Sequence, residues 1–209
     1  MGRRMIAIID YDAGNLRSVE KAFGALGEAC VITRDHREIQ RAHKVVLPGV
    51  GSFGMAMEQL RKYELDKVIR QVTESGKPFL GICLGLQLLF DGSEESGGVE
   101  GLGLLRGSIL RIPANPGLKI PHIGWNALVL PREGRLFSAL PRKGGEGLYV
   151  YFVHSYYLEA KDVSIVKAVT EYGVEIHASV EKENIFACQF HPEKSSAVGL
   201  SILKNFAEI

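Results

Sequence analysis

Cys83 lies between two glycines in Gly81-Ile82-Cys83-Leu84-Gly85. A short apolar run, Phe79-Leu80-Gly81-Ile82, leads into it, and a helix-type run, Leu86-Gln87-Leu88-Leu89-Phe90, follows. Strand, glycine-flanked nucleophile and helix make the cysteine version of the nucleophile elbow usually written G-x-S-x-G. So tight a turn leaves no room for a side chain two residues before or after the nucleophile, and glycine fills both places. The thiol then stands above a sheet at a helix N-terminus, where oriented N–H groups favour thiolate. For this frame alone, a small buried cysteine between two packing glycines is an equal reading.

A cysteine nucleophile needs a base, and the base needs a third group to fix its tautomer. Gln189-Phe190-His191-Pro192-Glu193 follows Ile185-Phe186-Ala187-Cys188, an apolar run of buried-strand type. In extended backbone, residues two apart point to the same side, so His191 and Glu193 are expected to face together. Cys83, His191 and Glu193 then fill the three roles, on one condition: the two strand ends must be neighbours. Alone, His-Pro-Glu reads as a solvated strand end.

The elements that must position these groups are written along the first half. Met5–Ile9 is a continuous apolar run, as in a parallel sheet covered on both faces. Leu16, Val19, Phe23 and Leu26 mark one face of a helix that ends at Gly27. Cys30–Thr33 and Val45–Leu47 read as the second and third strands, with a short polar helix between them. A single long helix is expected to carry Met57, Leu60, Leu65, Val68, Ile69 and Val72, stopping at Gly76 and Pro78. The elbow strand comes fourth. This alternation predicts an α/β fold, a doubly wound and mainly parallel sheet flanked by helices, with ligands at the carboxyl ends of its strands.

After about residue 92 the pattern changes. Ser93 to Gly103 reads as a surface loop whose Glu94-Glu95 pair is solvated. β-type runs follow at Leu104–Ile112, Ala127–Leu130, Leu148–Leu158, Ser164–Thr170 and Val174–Val180, additional antiparallel strands of the C-terminal half. A terminal helix over roughly Ala197–Ala207 closes the chain. No repeat, low-complexity stretch or linker divides it, so residues 1–209 read as one domain.

Composition suits a soluble enzyme. The chain has 209 residues, 46% hydrophobic and 23% charged, enough for one sizeable core. A formal net charge of +1 provides no footprint for nucleic acid or an anionic membrane. Three cysteines without metal-ligand spacing suit a reducing cytosol, with Cys30 and Cys188 as core residues. After Met1-Gly2-Arg3-Arg4 the uncharged run before Asp10 is too short for a signal sequence or a membrane span. The expected location is the cytoplasm.

Pro48-Gly49-Val50-Gly51-Ser52-Phe53-Gly54 matches G-x-G-x-x-G between a strand and a helix. Two features argue against a dinucleotide. The loop follows the third strand, and Asp66 and Glu74, about twenty positions on, fall within the next helix. The loop is better suited to an oxyanion hole, with the backbone N–H groups of Val50 and Leu84 meeting charge on an attacked carbonyl.

With these residues in view, the chain resembles the class I, triad-type glutamine amidotransferases. More narrowly it is similar to the glutaminase subunits of imidazole glycerol phosphate synthase, in histidine biosynthesis. Four segments carry the narrower likeness: Asp10–Leu16, Pro121-His122-Ile123-Gly124-Trp125-Asn126, Tyr151–Tyr156 and Gln189–Ser195. The first departs from the pattern at Asp12-Ala13, which bears on the shape of that loop. Neither Asn15 nor His122 is given a role.

The resemblance implies that Cys83 attacks the side-chain amide of L-glutamine and that His191 protonates the departing ammonia. It also implies that Gly51, Gln87, His154, Ser155 and Tyr156 line the glutamine pocket. Trp125, the only tryptophan, sits in a Pro- and Gly-rich segment where a core anchor is unusual. With Asn126, the resemblance makes it a contact to a separate cyclase subunit, a (β/α)8 barrel; the alternative is that Trp125 covers its own core. No metal or organic cofactor is implied. Two other functions stay open: an amidotransferase subunit of another pathway, which would lack the Gly-Trp-Asn and Phe-Val-His-Ser-Tyr segments, and a scaffold without catalysis, which an intact triad disfavours.

Overall fold

The structure is a computed structural model that describes residues 5–138, 140 and 147–209; Met1–Arg4 fall outside it. Five parallel strands form its centre. β1 (Met5–Ile9), β2 (Ala29–Thr33), β3 (Lys44–Gly49) and β4 (Phe79–Cys83) are joined through helices α1 (Leu16–Ala25), α2 (His36–Arg41), α3 (Phe53–Lys62) and α4 (Leu65–Glu74). After β4 the chain runs through α5 (Leu84–Leu88), β5 (Gly92–Ser93), β6 (Gly107–Arg111), β7 (His122–Leu128), β8 (Leu148–His154) and β9 (Tyr156–Ala160). β10 (Val166–Glu171), β11 (Glu175–Lys182), β12 (Ile185–Cys188) and α6 (Ser196–Glu208) complete it.

The main sheet has the order β10-β11-β12-β4-β3-β1-β2. From β12 to β2 every pairing is parallel, and β10 and β11 extend the sheet antiparallel. Two smaller sheets, β5-β6-β9 and the antiparallel pair β7-β8, lie beside it. The fold class read from the sequence is therefore the one observed.

Alternation along each central strand divides the core between two faces. Ala7, Ile9, Val45, Leu47 and Phe79 pack with α2, α3 and α4. Ile6, Ile8, Val46, Leu80 and Ile82 pack with α1, α6 and the β7-β8 pair. Both faces are buried, which is why these strands read as unbroken apolar runs. Among the described residues, no helix is long and apolar enough to cross a membrane.

Several boundaries differ from expectation. The long helix after the glycine loop is two helices, broken where Glu64 adopts φ 55°. The cause is a phase error: buried Leu60 and Leu65 are five residues apart, about 140° out of register on one helix face. The break turns the Tyr63 carbonyl to His36 Nε2, at 2.9 Å. Likewise, the run Leu148–Leu158 is two strands in different sheets, interrupted at Ser155. β7 begins at His122, well before Ala127, and β6 is shorter than Leu104–Ile112.

Candidate active site

β4 has β3 on one side and β12 on the other, so three strand ends converge at Cys83. Gly49 lies opposite Cys83 in the register with β3, and Cys188 lies opposite Ile82 in the register with β12. The condition set by the sequence, that the Cys83 and His191 strand ends be neighbours, is met. Cys83 itself holds φ 55°, ψ −108°, a conformation rare for a residue with a side chain. Such strain persists only where the surroundings over-determine it.

Those surroundings are the two glycines. A Cβ on Gly85 would lie 1.8 Å from the Leu47 carbonyl oxygen, and one on Gly81 would lie 2.7 Å from the Gly85 carbonyl oxygen. The helix after the nucleophile can therefore drop close to β3 and hold the turn shut. At five residues, α5 is shorter than the apolar run through Phe90 suggested.

His191 Nδ1 is 2.7 Å from Glu193 Oε1, with both side chains buried. A carboxylate only accepts, so Nδ1 carries the proton and Nε2 is left for the Cys83 side. Nε2 is buried without a hydrogen-bond partner in the described residues. Burial alone would make His191 less basic, but the Cys83 sulfur and the Glu193 carboxylate outweigh it and raise the imidazole to about 10. The pair does not face together as extended residues would. Pro192–Lys194 form a 3-10 turn, and that turn carries the carboxylate back to the ring. The turn is pinned from several sides: His191 N donates to the Tyr151 carbonyl, and Ser195 Oγ donates to the His191 carbonyl. Gly199 of α6 packs so tightly that a Cβ would meet the Pro192 carbonyl at 1.9 Å.

Two neighbours of this triad carried no assigned role in the sequence. Asn15 Nδ2 donates to Glu193 Oε1 at 2.6 Å. Gln189 Nε2 is 3.7 Å from the Cys83 sulfur, and Gln189 Oε1 accepts from Gln87 Nε2 at 3.1 Å. Only Gln189 left a usable signal: it stands one residue past β12 and two before His191.

A cavity of about 270 Å³ opens beside the sulfur. Val50 and Gly51 form one edge, and Cys83, Leu84 and Gln87 form its floor. Val153, His154, Ser155 and Tyr156 close the far side. All the residues expected at the oxyanion hole and the glutamine pocket thus line one cavity with the nucleophile. Glu95 and Pro121 join them. Glu95 was expected to be merely solvated; instead its Oε2 accepts from the Phe53 amide at the start of α3, at 2.7 Å. Glu94 likewise accepts from the Arg111 amide.

His154 of the pocket wall and His122 behind it are held neutral. Burial lowers His154 to about 3 and His122 to about 4. Because the Tyr156 carbonyl can only accept, His154 Nδ1 donates to it, at 2.9 Å. His154 Nε2 therefore accepts from His122 Nδ1, at 3.0 Å. His122 stacks between Phe152 and Tyr172. His36, His43 and His177 each meet a backbone group away from the pocket. Cys188 is fully buried, as expected, whereas Cys30 is half-buried.

The segment that departs from the family pattern closes as a loop of its own. Asp12 adopts φ 67°, and Arg34 joins Asp10 at 2.8 Å to Asp12 at 2.5 Å. Asn15 also holds a positive φ, 72°.

Residues 7–209 match the family model "Glutamine amidotransferase class-I". The chain belongs to that family. Within it, the chain is 52% identical to "Imidazole glycerol phosphate synthase subunit HisH" of Moorella thermoacetica, over 99% of this chain and 95% of that protein. It is 50% identical to the protein of the same name from Methanothermobacter thermautotrophicus, over 98% of each chain. Among solved structures, "Structure of PurLQS from Thermotoga maritima" superposes with a TM-score of 0.77 at 21% identity, over 99% of each chain. That last likeness concerns the fold; the HisH relatives concern the subfamily. This amidotransferase is therefore a glutaminase-type subunit.

Trp125 and Asn126 lie outside the cavity. Trp125 is 52% exposed, so it does not cover its own core. It shares a face of the β7-β8 pair with exposed Ile123 and Tyr149, and its ring meets Tyr151 edge-on. The Asn126 amide turns to the other side, donating to the Glu171 carbonyl at 3.0 Å and reaching His122 Nε2 at 3.4 Å.

Proposed function

We propose that this chain, residues 1–209 acting as one domain, releases ammonia from L-glutamine at Cys83 and passes it to the cyclase subunit of imidazole glycerol phosphate synthase. The observation that carries the chemistry is the convergence of a strained, glycine-flanked Cys83 with a buried His191–Glu193 pair on one glutamine-sized cavity.

Cys83 attacks the side-chain amide carbon. The Val50 and Leu84 amides hold the negative oxygen of the tetrahedral adduct. His191, raised toward a proton-bearing state, gives its proton to the leaving nitrogen, and ammonia departs with a γ-glutamyl thioester left on sulfur. Water then attacks the thioester with His191 as base, returning the thiol and releasing glutamate. Glu193 keeps the Nδ1 proton in place through both halves. Gln87 has both amide hydrogens committed, to the Tyr156 carbonyl and to Gln189, so its oxygen is the group free to meet substrate. Gly51, His154, Ser155 and Tyr156 shape the rest of the pocket.

The partner is a (β/α)8-barrel cyclase subunit, bound as a heterodimer in the cytoplasm. Trp125 supplies the apolar anchor of the contact, as a half-exposed aromatic in an apolar strip suits. Asn126, tied to Glu171 and His122, braces the strand beneath it. The Val153 strand runs from that strip to the cavity wall, so partner binding and the glutamine site share an element.

The test mixes the purified chain with the cyclase subunit and follows glutamate release, with calorimetric titration of wild type and Trp125→Ala. Glutamate release should be slow alone and much faster in the complex carrying the cyclase ligand. Trp125→Ala should weaken association by about 2 kcal/mol or more. An unchanged affinity removes Trp125 from the interface, and no glutamate release in any mixture contradicts the glutaminase reading.

A further inference from the structure

Tyr11 lies just beyond the end of β1 and is 2% exposed. Its hydroxyl oxygen is buried without a hydrogen-bond partner in the described residues. A buried phenol usually finds one, so an orphan hydroxyl calls for an explanation. Its position is specific. A Cβ built on Gly49 would lie 2.0 Å from the Tyr11 oxygen, which places the hydroxyl against the Gly49 backbone.

Strand order gives that contact a direction. β3 lies between β4 and β1, so Gly49 has Cys83 on one side and the chain leaving β1 on the other. A trans peptide is planar, with its N–H and C=O pointing opposite ways. A Gly49–Val50 peptide that aims the Val50 amide toward an adduct on Cys83 must therefore send the Gly49 carbonyl away from β4. Tyr11 reaches Gly49 from that strand end, with its hydroxyl where a side chain on Gly49 would stand, close to a carbonyl that turns out of β3. Glycines at 49 and 51 let the segment turn, and Gly51 already holds φ 113°. Behind the loop is a second cavity, of about 300 Å³, lined by Tyr11, Val50, Gly51, Met55 and Gln59, with room for the movement.

We propose that Tyr11 is a positioning residue whose hydroxyl donates to the Gly49 carbonyl once the Gly49–Val50 peptide has turned to present the Val50 amide. The proposal rests on the reading of Val50 as an oxyanion donor. It explains why the hydroxyl is orphaned here: its acceptor arrives only with the turned peptide. Burial, with the Cys83 charge added, pushes the phenol's ionisation up, so the group remains a donor at working pH.

Tyr11→Phe keeps the ring and deletes the hydroxyl. It is compared with wild type in the complex with the cyclase subunit, by steady-state glutamine kinetics, by synthesis from ammonium salt, and by melting of the free chain. Removing an unpaired hydroxyl should leave Tm unchanged or raised. The glutamine kcat should fall about fivefold to tenfold with KM unchanged, and ammonium-driven synthesis should stay intact. An unchanged kcat overturns the proposal, as does a kcat loss that comes with a matching fall in Tm, which would make Tyr11 a packing residue. Val50→Pro, which removes the amide hydrogen, separates this proposal from the reading beneath it. If folded Val50→Pro retains full turnover, the oxyanion reading itself fails. If it is crippled while Tyr11→Phe is not, only the role of Tyr11 falls.

Discussion

The Asn15 amide donates to Glu193 Oε1 at 2.6 Å, on the same carboxylate oxygen that holds His191 Nδ1 at 2.7 Å. One oxygen thus joins the loop after β1 to the turn after β12, and Asn15 fixes the direction from which the carboxylate meets the imidazole. Asn15 holds φ 72°, so Asn15→Gly removes the amide without straining the backbone. A hydrogen bond to a charged group contributes about 1.5–3 kcal/mol. Partner-stimulated glutamine turnover should therefore fall roughly ten- to a hundredfold, and Tm should drop by a few degrees as the buried carboxylate loses that partner. Full activity in Asn15→Gly would show that the turn positions Glu193 unaided.

The charge state of His191 gives a second prediction. Its folded imidazole is raised from 6.5 to about 10, so the folded chain holds this proton more tightly than the unfolded one. The stability gained is complete below pH 6.5 and is lost as pH rises through about 10. Glu193→Gln removes one of the two groups that hold the proton. The His191 titration midpoint, followed by ¹⁵N NMR of the imidazole, should move down in that variant. A midpoint unmoved by Glu193→Gln would leave the Cys83 sulfur as the sole cause.

His154 behaves in the opposite sense. Burial lowers its folded value to about 3, so below pH 6.5 the unfolded chain takes up a proton that the folded chain refuses. This contribution is fully present above pH 6.5 and declines as the pH falls toward 3. Urea midpoints measured between pH 7 and 4 should decline less steeply in His154→Gln than in wild type. Parallel curves would contradict the neutral, buried assignment.

Two glycines separate crowding from freedom. In Gly85→Ala the new methyl meets the Leu47 carbonyl at 1.8 Å, and neither backbone can yield without opening the elbow. The expected loss is about 3 kcal/mol or more, on the order of 10 °C in Tm. Gly24→Ala lies on the exposed side of α1 with nothing within 4 Å and should gain about 0.5–1 kcal/mol. Thermal melting of both variants decides the comparison; a silent Gly85→Ala would mean that the elbow does not need its glycine.

The sheet, the elbow and the list of cavity residues were legible because each has a local signature. Strands buried on both faces read as apolar runs, and Gly81 and Gly85 stand at fixed distances from Cys83. What escaped depends on pairings across the chain. Asn15 and Glu193 meet over 178 residues, and Glu95 caps a helix that begins 42 residues earlier. Neither contact leaves a period or a spacing in the sequence. The His191–Glu193 contact was expected from extended backbone, and a proline-led 3-10 turn makes it instead. The helix break at Glu64 was encoded after all, in the five-residue step from Leu60 to Leu65.

In the proposed division of labour, Cys83 generates ammonia and takes no part in its use. Purified Cys83→Ala, in complex with the cyclase subunit, should be assayed for product formation with either L-glutamine or an ammonium salt as nitrogen source. Glutamine-dependent synthesis should disappear while ammonium-dependent synthesis proceeds at the wild-type rate. Retained glutamine turnover in Cys83→Ala would contradict it.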